Sequence, residues 1–242
     1  MPNVPSREAR FGRVRAYDRE MSTVVDAYHP PIEEYLTTIY ELAEDGVTVI
    51  QARLVERLGF SAPTVWEMVG RLKAKGYLAV DGRTISLTPD GRALAEQVVR
   101  KHRLAERLLT DIIGLPWHKA HLEAGRWEHV ISDEVADLLA VKLHDPSTCP
   151  HGNPIPGGER DTRSLVVLSD VSPGTRVRLS RVTETVEIDA AAMNYLNDQR
   201  FITGVDGTVD TKAPDGAMSV RVGTSTVALG AALASNLYVE LV

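Results

Sequence analysis

Histidine and glutamate side chains are concentrated in one stretch of this chain. Four of the seven histidines fall in that stretch, namely His102, His118, His121 and His129. Glu106 follows His102 by four residues, and Glu128 directly precedes His129. Side chains four residues apart share one face of a helix, with about 5–6 Å between their Cβ atoms. Imidazole nitrogen and carboxylate oxygen together suit a divalent transition metal. The stretch therefore predicts a metal site, and the alternative is a solvated, charged helix surface.

The composition limits the kind of protein. The 242 residues are 43% hydrophobic, which is enough for two or three small domains with cores of their own. No apolar run approaches the ~18–20 residues of a membrane span, and the first residues lack the apolar segment of a secretion signal. Cys149 is the only cysteine, so an intrachain disulfide and a cysteine-based zinc cage are excluded. These features predict a cytoplasmic protein without a membrane partner.

Residues 29–88 have the pattern of a winged helix-turn-helix. They follow an arginine-containing stretch, residues 1–28, which predicts a flexible arm able to touch phosphate. Gly59 permits a tight turn between two short helices, and Ser61 can cap the second of these. Asp81-Gly82 lies between two alternating runs and predicts a β-hairpin, the wing, directly after that helix. The net charge of −6 argues mildly against an extended nucleic-acid groove but allows a local basic face.

Residues 89–145 predict a helical section that positions most of the possible metal ligands. A long helix should run from about Pro89 to Ile113, because Pro89 is favoured in a first turn. A second helix should follow from Trp117 to about Arg126, and Ser132 can cap a third. These helices are apolar on more than one side, which is more surface than one copy can bury. The section therefore predicts a homodimer.

The composition changes after residue 145. Residues 146–163 are rich in proline and glycine, which predicts a linker or an extended lip. Residues 164–242 contain short β segments with glycine turns and one helical insert over 190–198, which predicts a small β-barrel. The expected fold class is thus mainly α with α+β parts.

Six strings of residues carry a resemblance to a known family. They are Glu34–Leu42, Met68–Leu72, Leu87–Arg92, Arg100–Leu115, Arg126–Val135 and His151–Gly157. In these strings the chain resembles the diphtheria toxin repressor family of metal-dependent transcription regulators, particularly its actinobacterial iron-dependent members. The resemblance is strong over residues 29–157 and weaker over 164–242, where it implies an SH3-like, FeoA-like barrel. It implies a DNA-binding regulator of metal-homeostasis genes, not an enzyme.

The resemblance implies two metal sites in each subunit. By motif position, His102, Glu106 and His121 match the ancillary site. Glu187 is the less secure match for its ligand from the barrel. Alanine at position 190 departs from the pattern, since members with this site often place a second polar ligand there.

For the primary, activating site, the resemblance points to Glu34, Gly125, Glu128 and His129. Glu128 and His129 match directly. Iron-type members carry methionine where this chain has Glu34 and cysteine where it has Gly125, whereas manganese-type members carry carboxylates at both. A carboxylate in place of a thioether favours Fe²⁺ or Mn²⁺ over later metals, with Co²⁺, Ni²⁺ or Zn²⁺ still able to bind in vitro. Glycine offers only its backbone carbonyl, so we expect a weakened site.

The outer faces of the helix-turn-helix supply candidate DNA contacts. The candidates are Gln51, Arg53, Ser61, Pro63, Thr64, Trp66, Glu67 and Arg71. Glu67 could accept from a cytosine amino group, and Arg53 and Arg71 could contact phosphates. Trp66 could meet a thymine methyl group or serve only in packing. In a homodimer the two recognition helices would read a palindromic operator in successive major grooves.

Two other functions remain compatible with the residues. A metal-dependent hydrolase could use the histidine and glutamate cluster, but it would leave the helix-turn-helix unexplained and lacks a recognisable nucleophile. A winged-helix regulator that has lost or altered metal control is suggested by the changes at Glu34 and Gly125. The regulator is not expected to bind a small organic substrate.

Overall fold

The computed structural model describes residues 32–159 and 162–242. The arm expected over residues 1–28 lies outside this described part. Eight strands and nine α-helices follow in the described residues, together with short 3-10 and π segments. None of the described helices is long and apolar enough to cross a membrane.

The first part is a three-helix head with a hairpin. Its helices are α1 (Ile32–Glu44), α2 (Gln51–Leu58) and α3 (Ala62–Ala74), and the hairpin is formed by β1 (Leu78–Asp81) and β2 (Thr84–Leu87). Gly59 ends α2 with a φ of 71°, a left-handed conformation that suits glycine. The Ser61 hydroxyl then accepts from the backbone N–H of Thr64 at 3.3 Å and caps α3. These local signals place α3 on the surface as the second helix of a helix-turn-helix.

The apolar faces of the head meet in one core. Tyr35, Leu36, Leu54, Val65 and Leu72 are fully buried in it. In the hairpin, Asp81 pairs with Thr84 in antiparallel register, so the turn falls one residue later than the expected Asp81-Gly82 pair. The hairpin stands directly beside α3, as a wing does.

The middle part is built on one long helix. α4 (Pro89–Arg107) is capped by Thr88, whose hydroxyl accepts from Gly91 N–H at 3.2 Å. A Cβ at Gly91 would lie 2.1 Å from the carbonyl oxygen of Tyr77, so only glycine lets α4 approach the head this closely. The expected α-helix to Ile113 instead becomes a π-helix over Leu108–Ile113, ended by Gly114 with a φ of 78°.

Two shorter helices complete the middle part. The segment expected as one helix from Trp117 consists of a 3-10 turn (Trp117–Lys119) and the short α5 (Ala120–Ala124). A series of turns connects it to α6 (Asp133–Lys142), which Ser132 caps by accepting from Val135 N–H at 3.2 Å.

Residues 146–159, which we name the strap, are packed and not a free linker. Cys149, His151 and Asn153 are all buried. The Arg107 guanidinium donates to the Thr148 carbonyl at 2.7 Å, and Val182 N–H in the barrel donates to the His151 carbonyl at 2.8 Å. Proline and glycine explain why the backbone of the strap is irregular. Its buried side chains and its hydrogen bonds nevertheless fix its position.

The last part is a six-stranded antiparallel sheet with helices at its edge. Its strands are β3 (Val166–Val167), β4 (Arg176–Val182), β5 (Asp206–Lys212), β6 (Met218–Val222), β7 (Ser225–Leu229) and β8 (Leu237–Leu241). The strand order is β3-β8-β4-β5-β6-β7, and its helices are α7 (Glu184–Glu187), α8 (Ala190–Asp198) and α9 (Ala231–Ala234). The fully buried Val177, Leu179, Phe201 and Val220 lie in its core.

Buried ion pairs join the three parts. Arg103 of α4 lies 2.6 Å from the Glu44 carboxylate at the end of α1 and also donates to the Pro154 carbonyl of the strap. Arg181 of β4 lies 2.6 Å from Asp45, which follows α1 directly. Arg103 is buried and Arg181 is mostly covered, so their ion pairs fix head, strap and sheet around the middle helix.

Candidate metal centres

Two turns of α4 and the start of α5 bring three predicted ligands together. His102 and Glu106 face the same way, with His102 Nε2 3.2 Å from Glu106 Oε1. His121 of α5 places its Nδ1 3.0 Å from His102 Nε2 and 3.4 Å from Glu106 Oε1. The structure thus brings together the three residues that spacing and motif position predicted.

The barrel contributes two carboxylates to the same cluster. Glu187 Oε2 lies 3.2 Å from His121 Nδ1, and Glu184 Oε1 lies 4.0 Å from that nitrogen. Both carboxylates lie on α7 and are buried. Glu184, three residues before Glu187, therefore places a second polar group beside the cluster, where position 190 has alanine. The Glu-x-x-Glu spacing, one turn of helix, was the signal in the sequence.

The strap supplies two further donors that the sequence reasoning missed. His151 Nδ1 lies 2.8 Å from Glu187 Oε2 and 3.2 Å from Glu106 Oε1. Glu106, Cys149 and His151 place their donor atoms within 4.8 Å of one another, as do Glu106, His121 and Glu187. We name the set of Glu106, His102, His121, His151, Cys149, Glu184 and Glu187 the inner cluster. The only sequence signal for the strap donors was a cysteine and a histidine two residues apart.

Several buried polar atoms of the inner cluster make no well-aligned hydrogen bond, although some lie close to one another. They are Glu106 Oε2, Glu184 Oε2, Glu187 Oε2 and His151 Nδ1. His151 Nε2 lies 3.0 Å from the Trp117 carbonyl, so it is the nitrogen that donates. Burial lowers the pKa of His151, but the charges of Glu187 and Glu106 raise it well above its usual value, so without a metal ion a proton lies between Nδ1 and the two carboxylates. A bound cation can take the place of that proton. The donor set therefore fits a divalent metal ion.

Charge in the inner cluster is divided between carboxylates and imidazoles. Burial lowers the pKa of His121, but the Glu184 charge and hydrogen bonds with Glu106 and Glu187 raise it to about 10. Burial and the neighbouring Glu187 raise the pKa of Glu184 to about 7. Burial, Glu106 and Glu187 also raise the pKa of the Cys149 thiol to about 12. Without metal, protons on the imidazoles balance the negative charge of the carboxylates.

Metal binding to the inner cluster should therefore release protons. A histidine ligand must be neutral, and the pKa of His121 lies at about 10, so at pH 7 a metal has to displace its proton. We expect metal affinity to rise with pH through the neutral range, by about tenfold per pH unit for each proton displaced. Calorimetric titration with Zn²⁺ in buffers of different ionisation enthalpy measures the protons released.

The half-buried His118 provides the control, because it is in neither cluster. Proton release should fall in His121→Gln and stay at the wild-type value in His118→Gln. Equal release in His121→Gln and wild type would contradict this account.

A second cluster, which we name the outer cluster, joins the head to the middle part. It consists of Glu34, Glu128 and His129, whose donor atoms lie within 4.8 Å of one another. His129 Nε2 lies 3.2 Å from Glu128 Oε1 and 3.7 Å from Glu34 Oε2. Burial and the neighbouring Glu128 charge raise the pKa of Glu34. A cation among these groups would relieve that repulsion.

Gly125 and its neighbour Glu123 show what lies beside the outer cluster at the position where the family pattern has a side-chain donor. Gly125, three residues before Glu128, has a φ of −59° and a ψ of −22° in the right-handed helical region. Glu123, two residues before Gly125, accepts from Arg126 at 2.8 Å and from the Trp127 indole at 3.1 Å. It is thus held away from the cluster.

Most of the predicted DNA contacts lie on the surface of the head. Arg53, Ser61, Pro63, Glu67 and Arg71 are exposed, and Trp66 is 69% exposed. Thr64 and Gln51 are half-buried, and Gln51 donates to the Ala62 carbonyl at 3.1 Å. An open groove of about 410 Å³ runs between α3 and the wing, with Trp66, Lys73 and Arg83 along it.

Family models match nearly the whole described chain. Residues 29–84 match the iron-dependent repressor N-terminal DNA-binding domain, and residues 88–157 match the iron-dependent repressor metal-binding and dimerisation domain. Residues 166–241 match the FeoA domain.

Proteins of known function are similar in sequence to this chain over most of its length. The iron-dependent repressor IdeR of Mycobacterium tuberculosis is 43% identical over 222 residues, covering 87% of this chain and 96% of the relative. This chain belongs to the diphtheria toxin repressor family. The diphtheria toxin repressor of Corynebacterium diphtheriae is likewise 42% identical, over 86% of this chain and 96% of that protein.

Solved structures of this repressor family share the whole arrangement. A manganese-dependent transcriptional repressor in complex with manganese covers 87% of this chain and all of its own, with a TM-score of 0.78 and 29% identity. The IdeR of T. acidophilum covers 89% of this chain and all of its own, with a TM-score of 0.73 and 25% identity. The expected fold class, with its DNA-binding head, helical middle part and FeoA-like β domain, is confirmed, as is membership of a metal-dependent repressor family.

Proposed function

We propose that this chain is a repressor switched on by metal at the outer cluster. The observation that carries the proposal is that Glu34 on α1 of the head meets Glu128 and His129 of the middle part. These three residues would hold the ion, which supplies positive charge between two carboxylates. Glu34 would thereby fix α1, and α1 packs against the helix core of the head. Metal and DNA would favour one conformation, so each should strengthen binding of the other.

We propose Fe²⁺ or Mn²⁺ as the physiological ion. The outer cluster offers carboxylate and imidazole donors without thiolate or thioether, and such donors suit these metals. The relatives named above are iron-dependent in one case and manganese-dependent in another. Co²⁺, Ni²⁺ and Zn²⁺ are expected to bind in vitro, and the inner cluster, with Cys149, is the site for the softer ions.

A homodimer explains the apolar surface of the middle part. Large exposed apolar side chains in this part are Ile112, Ile113, Leu122, Val130, Val135, Leu138 and Val141. A contiguous exposed apolar patch usually marks a protein interface, and we propose that these side chains form one. We expect sedimentation equilibrium to give a dimer, and Leu138→Glu, in an exposed position, to shift it toward monomer. A monomeric wild type at micromolar concentration would contradict the proposal.

The dimer is proposed to bind a palindromic operator in double-stranded DNA. Two copies of α3 would enter successive major grooves about 34 Å apart. The protein is proposed to act in the cytoplasm and not as an enzyme, and the family match supports this. The domain boundaries proposed are residues 29–88, 89–145 with the following segment 146–163, and 164–242.

Two α3 residues should affect DNA binding in different ways. Arg71 is exposed near the end of α3, and removing a phosphate contact should weaken binding to all sequences. Arg71→Ala should therefore also reduce the slope of log affinity against log salt concentration by about one. Glu67→Ala should instead change the preferred base at one operator position, by about 1–3 kcal/mol. Fluorescence anisotropy over a salt series and a base-substitution series measures both effects, and identical behaviour would refute the two roles.

The proposed function is tested by titrating metal into a mixture of the protein and DNA from the region upstream of its own gene. Mn²⁺ or anaerobic Fe²⁺ should promote DNA binding by wild type, and Glu34→Ala should abolish that response. Glu96→Ala is the control, since Glu96 is outside both clusters and pairs with Arg92 on an exposed surface. DNA binding that is independent of metal in wild type would favour the alternative, a regulator that has lost metal control.

A further inference from the structure

One imidazole links the inner and outer clusters. His102 Nε2 faces the inner cluster, where it lies 3.0 Å from His121 Nδ1 and 3.2 Å from Glu106 Oε1. The opposite nitrogen, His102 Nδ1, lies 2.5 Å from Glu128 Oε2. The two carboxylate oxygens of Glu128 contact different histidines, since Oε1 lies 3.2 Å from His129 Nε2 in the outer cluster. The two clusters are therefore connected through two side chains.

We infer that His102 is a positioning residue for the outer metal site as well as a ligand of the inner one. The inference rests on the proposed function and adds a role that neither cluster alone requires. His102 would act through Glu128, by fixing the direction in which Glu128 Oε1 points.

The chemistry of imidazole makes the connection directional. When the Nε2 lone pair faces a cation in the inner cluster, the remaining proton of neutral His102 must be on Nδ1. That N–H then donates to Glu128 Oε2, which keeps Oε2 occupied and leaves Oε1 for the outer site. A histidine ligand backed by a carboxylate is a better electron donor, so Glu128 strengthens the inner site in return.

Burial makes the contact effective. His102 is 7% exposed, and the Glu128 side chain is 12% exposed. In the described part of the chain, His102 is the one side chain that reaches Glu128 Oε2 within hydrogen-bonding distance. Without it, Glu128 Oε2 would lose its partner and the side chain would gain rotational freedom, at a cost to outer-site affinity.

The test separates positioning from ligation with three variants of the full chain. His121→Ala removes an inner ligand but keeps the contact of His102 with Glu128. His102→Ala removes the ligand and the contact together. His102→Asn removes Nε2 but retains an amide N–H donor near the position of Nδ1, so it can still donate to Glu128.

Calorimetric titration with Mn²⁺ measures the affinity of the remaining outer site in each variant. A Mn²⁺-binding event is assigned to the outer site if it disappears when Glu34→Ala is combined with the variant. Outer-site affinity should be about 10–100-fold lower in His102→Ala than in His121→Ala, the usual effect of losing a supporting contact. His102→Asn should recover most of this loss, which a merely structural role of the ring would not predict.

Equal outer-site affinities in His102→Ala and His121→Ala would overturn the inference, as would His102→Asn behaving like His102→Ala. Should His102→Ala fail to fold, His102→Leu, which fills the space of the ring but has no donor for Glu128, replaces it in both comparisons and is read in the same way. If His121→Ala shows no event sensitive to Glu34→Ala, the proposed function itself fails and the inference with it. The two failures are thus distinguishable.

Discussion

Glu106→Gln is expected to remove one metal ion per chain and to destabilise the metal-free protein substantially. Glu106 is 1% exposed, and its Oε1 lies within 3.4 Å of nitrogens from His102, His121 and His151. Burial raises the pKa of Glu106, but the charges of His151 and His102 hold it well below the usual value, so the group is a carboxylate at pH 7. Glutamine keeps the volume but removes the charge that balances the imidazoles.

The magnitude follows from the cost of an unpaired buried charge. Removing one partner of a buried ion pair usually costs about 3–5 kcal/mol, and we expect about that loss in the free energy of unfolding at pH 7. Urea denaturation of the metal-free protein measures the stability, and calorimetry with Zn²⁺ measures the stoichiometry.

Glu96→Gln is the matched control, because Glu96 lies on the same helix and pairs with Arg92 across an exposed surface at 3.4 Å. Its effect should stay below about 1 kcal/mol. If Glu106→Gln were no more harmful than Glu96→Gln and still bound two ions, Glu106 would not be the centre of a metal site.

The parts of the site that the sequence could predict are those carried by local spacing. His102 and Glu106 follow from one turn of one helix, and Glu128-His129 from adjacent positions. Glu34 and Glu187 came from motif positions, since neither is near the histidines along the chain. The structure brings each of them within reach of its cluster.

The donors that were missed depend on tertiary packing. Cys149 and His151 lie in a segment whose proline and glycine content predicts only irregular backbone. Their burial results from contacts with distant residues, such as the Trp117 carbonyl for His151 and Arg107 for the Cys149 carbonyl. A linker and a packed strap have the same local composition, so composition alone could not distinguish them.

The end of α4 gives a similar lesson for the fold. Apolar periodicity continues smoothly to Ile113, and it predicted one α-helix. The last turns, Leu108–Ile113, are instead a π-helix, in which the Thr110 hydroxyl donates to the Glu106 carbonyl at 3.0 Å. A change in hydrogen-bond register leaves the hydrophobic pattern nearly intact. This segment begins two residues after Glu106 of the inner cluster, and π-helical segments frequently lie at functional sites.

Restoring a side chain at Gly125 is expected to tighten the outer site. Gly125 has helical angles that any residue can adopt. A Cβ there would meet only the carbonyl oxygens of His121 and Leu122, at 3.7 and 3.9 Å, which are ordinary contact distances. A new side chain can therefore be introduced without a clash, one turn before Glu128.

The chemistry of the added donor should set the metal preference. Gly125→Cys should raise affinity for Co²⁺ and Ni²⁺, because thiolate suits softer and later metals, and Gly125→Glu should favour Mn²⁺. We expect about tenfold for each, equivalent to about 1.4 kcal/mol. Gly125→Ala is the control, since it also replaces glycine in a helical turn, worth up to about 1 kcal/mol of stability, but adds no donor. Calorimetric titrations with the three metals, alongside melting temperatures, separate affinity from stability.

If Cys, Glu and Ala variants bind all three metals alike, Gly125 does not adjoin a metal site. The activating role proposed for Glu34, Glu128 and His129 would then be wrong, because the site would lack the geometry that a donor at position 125 completes.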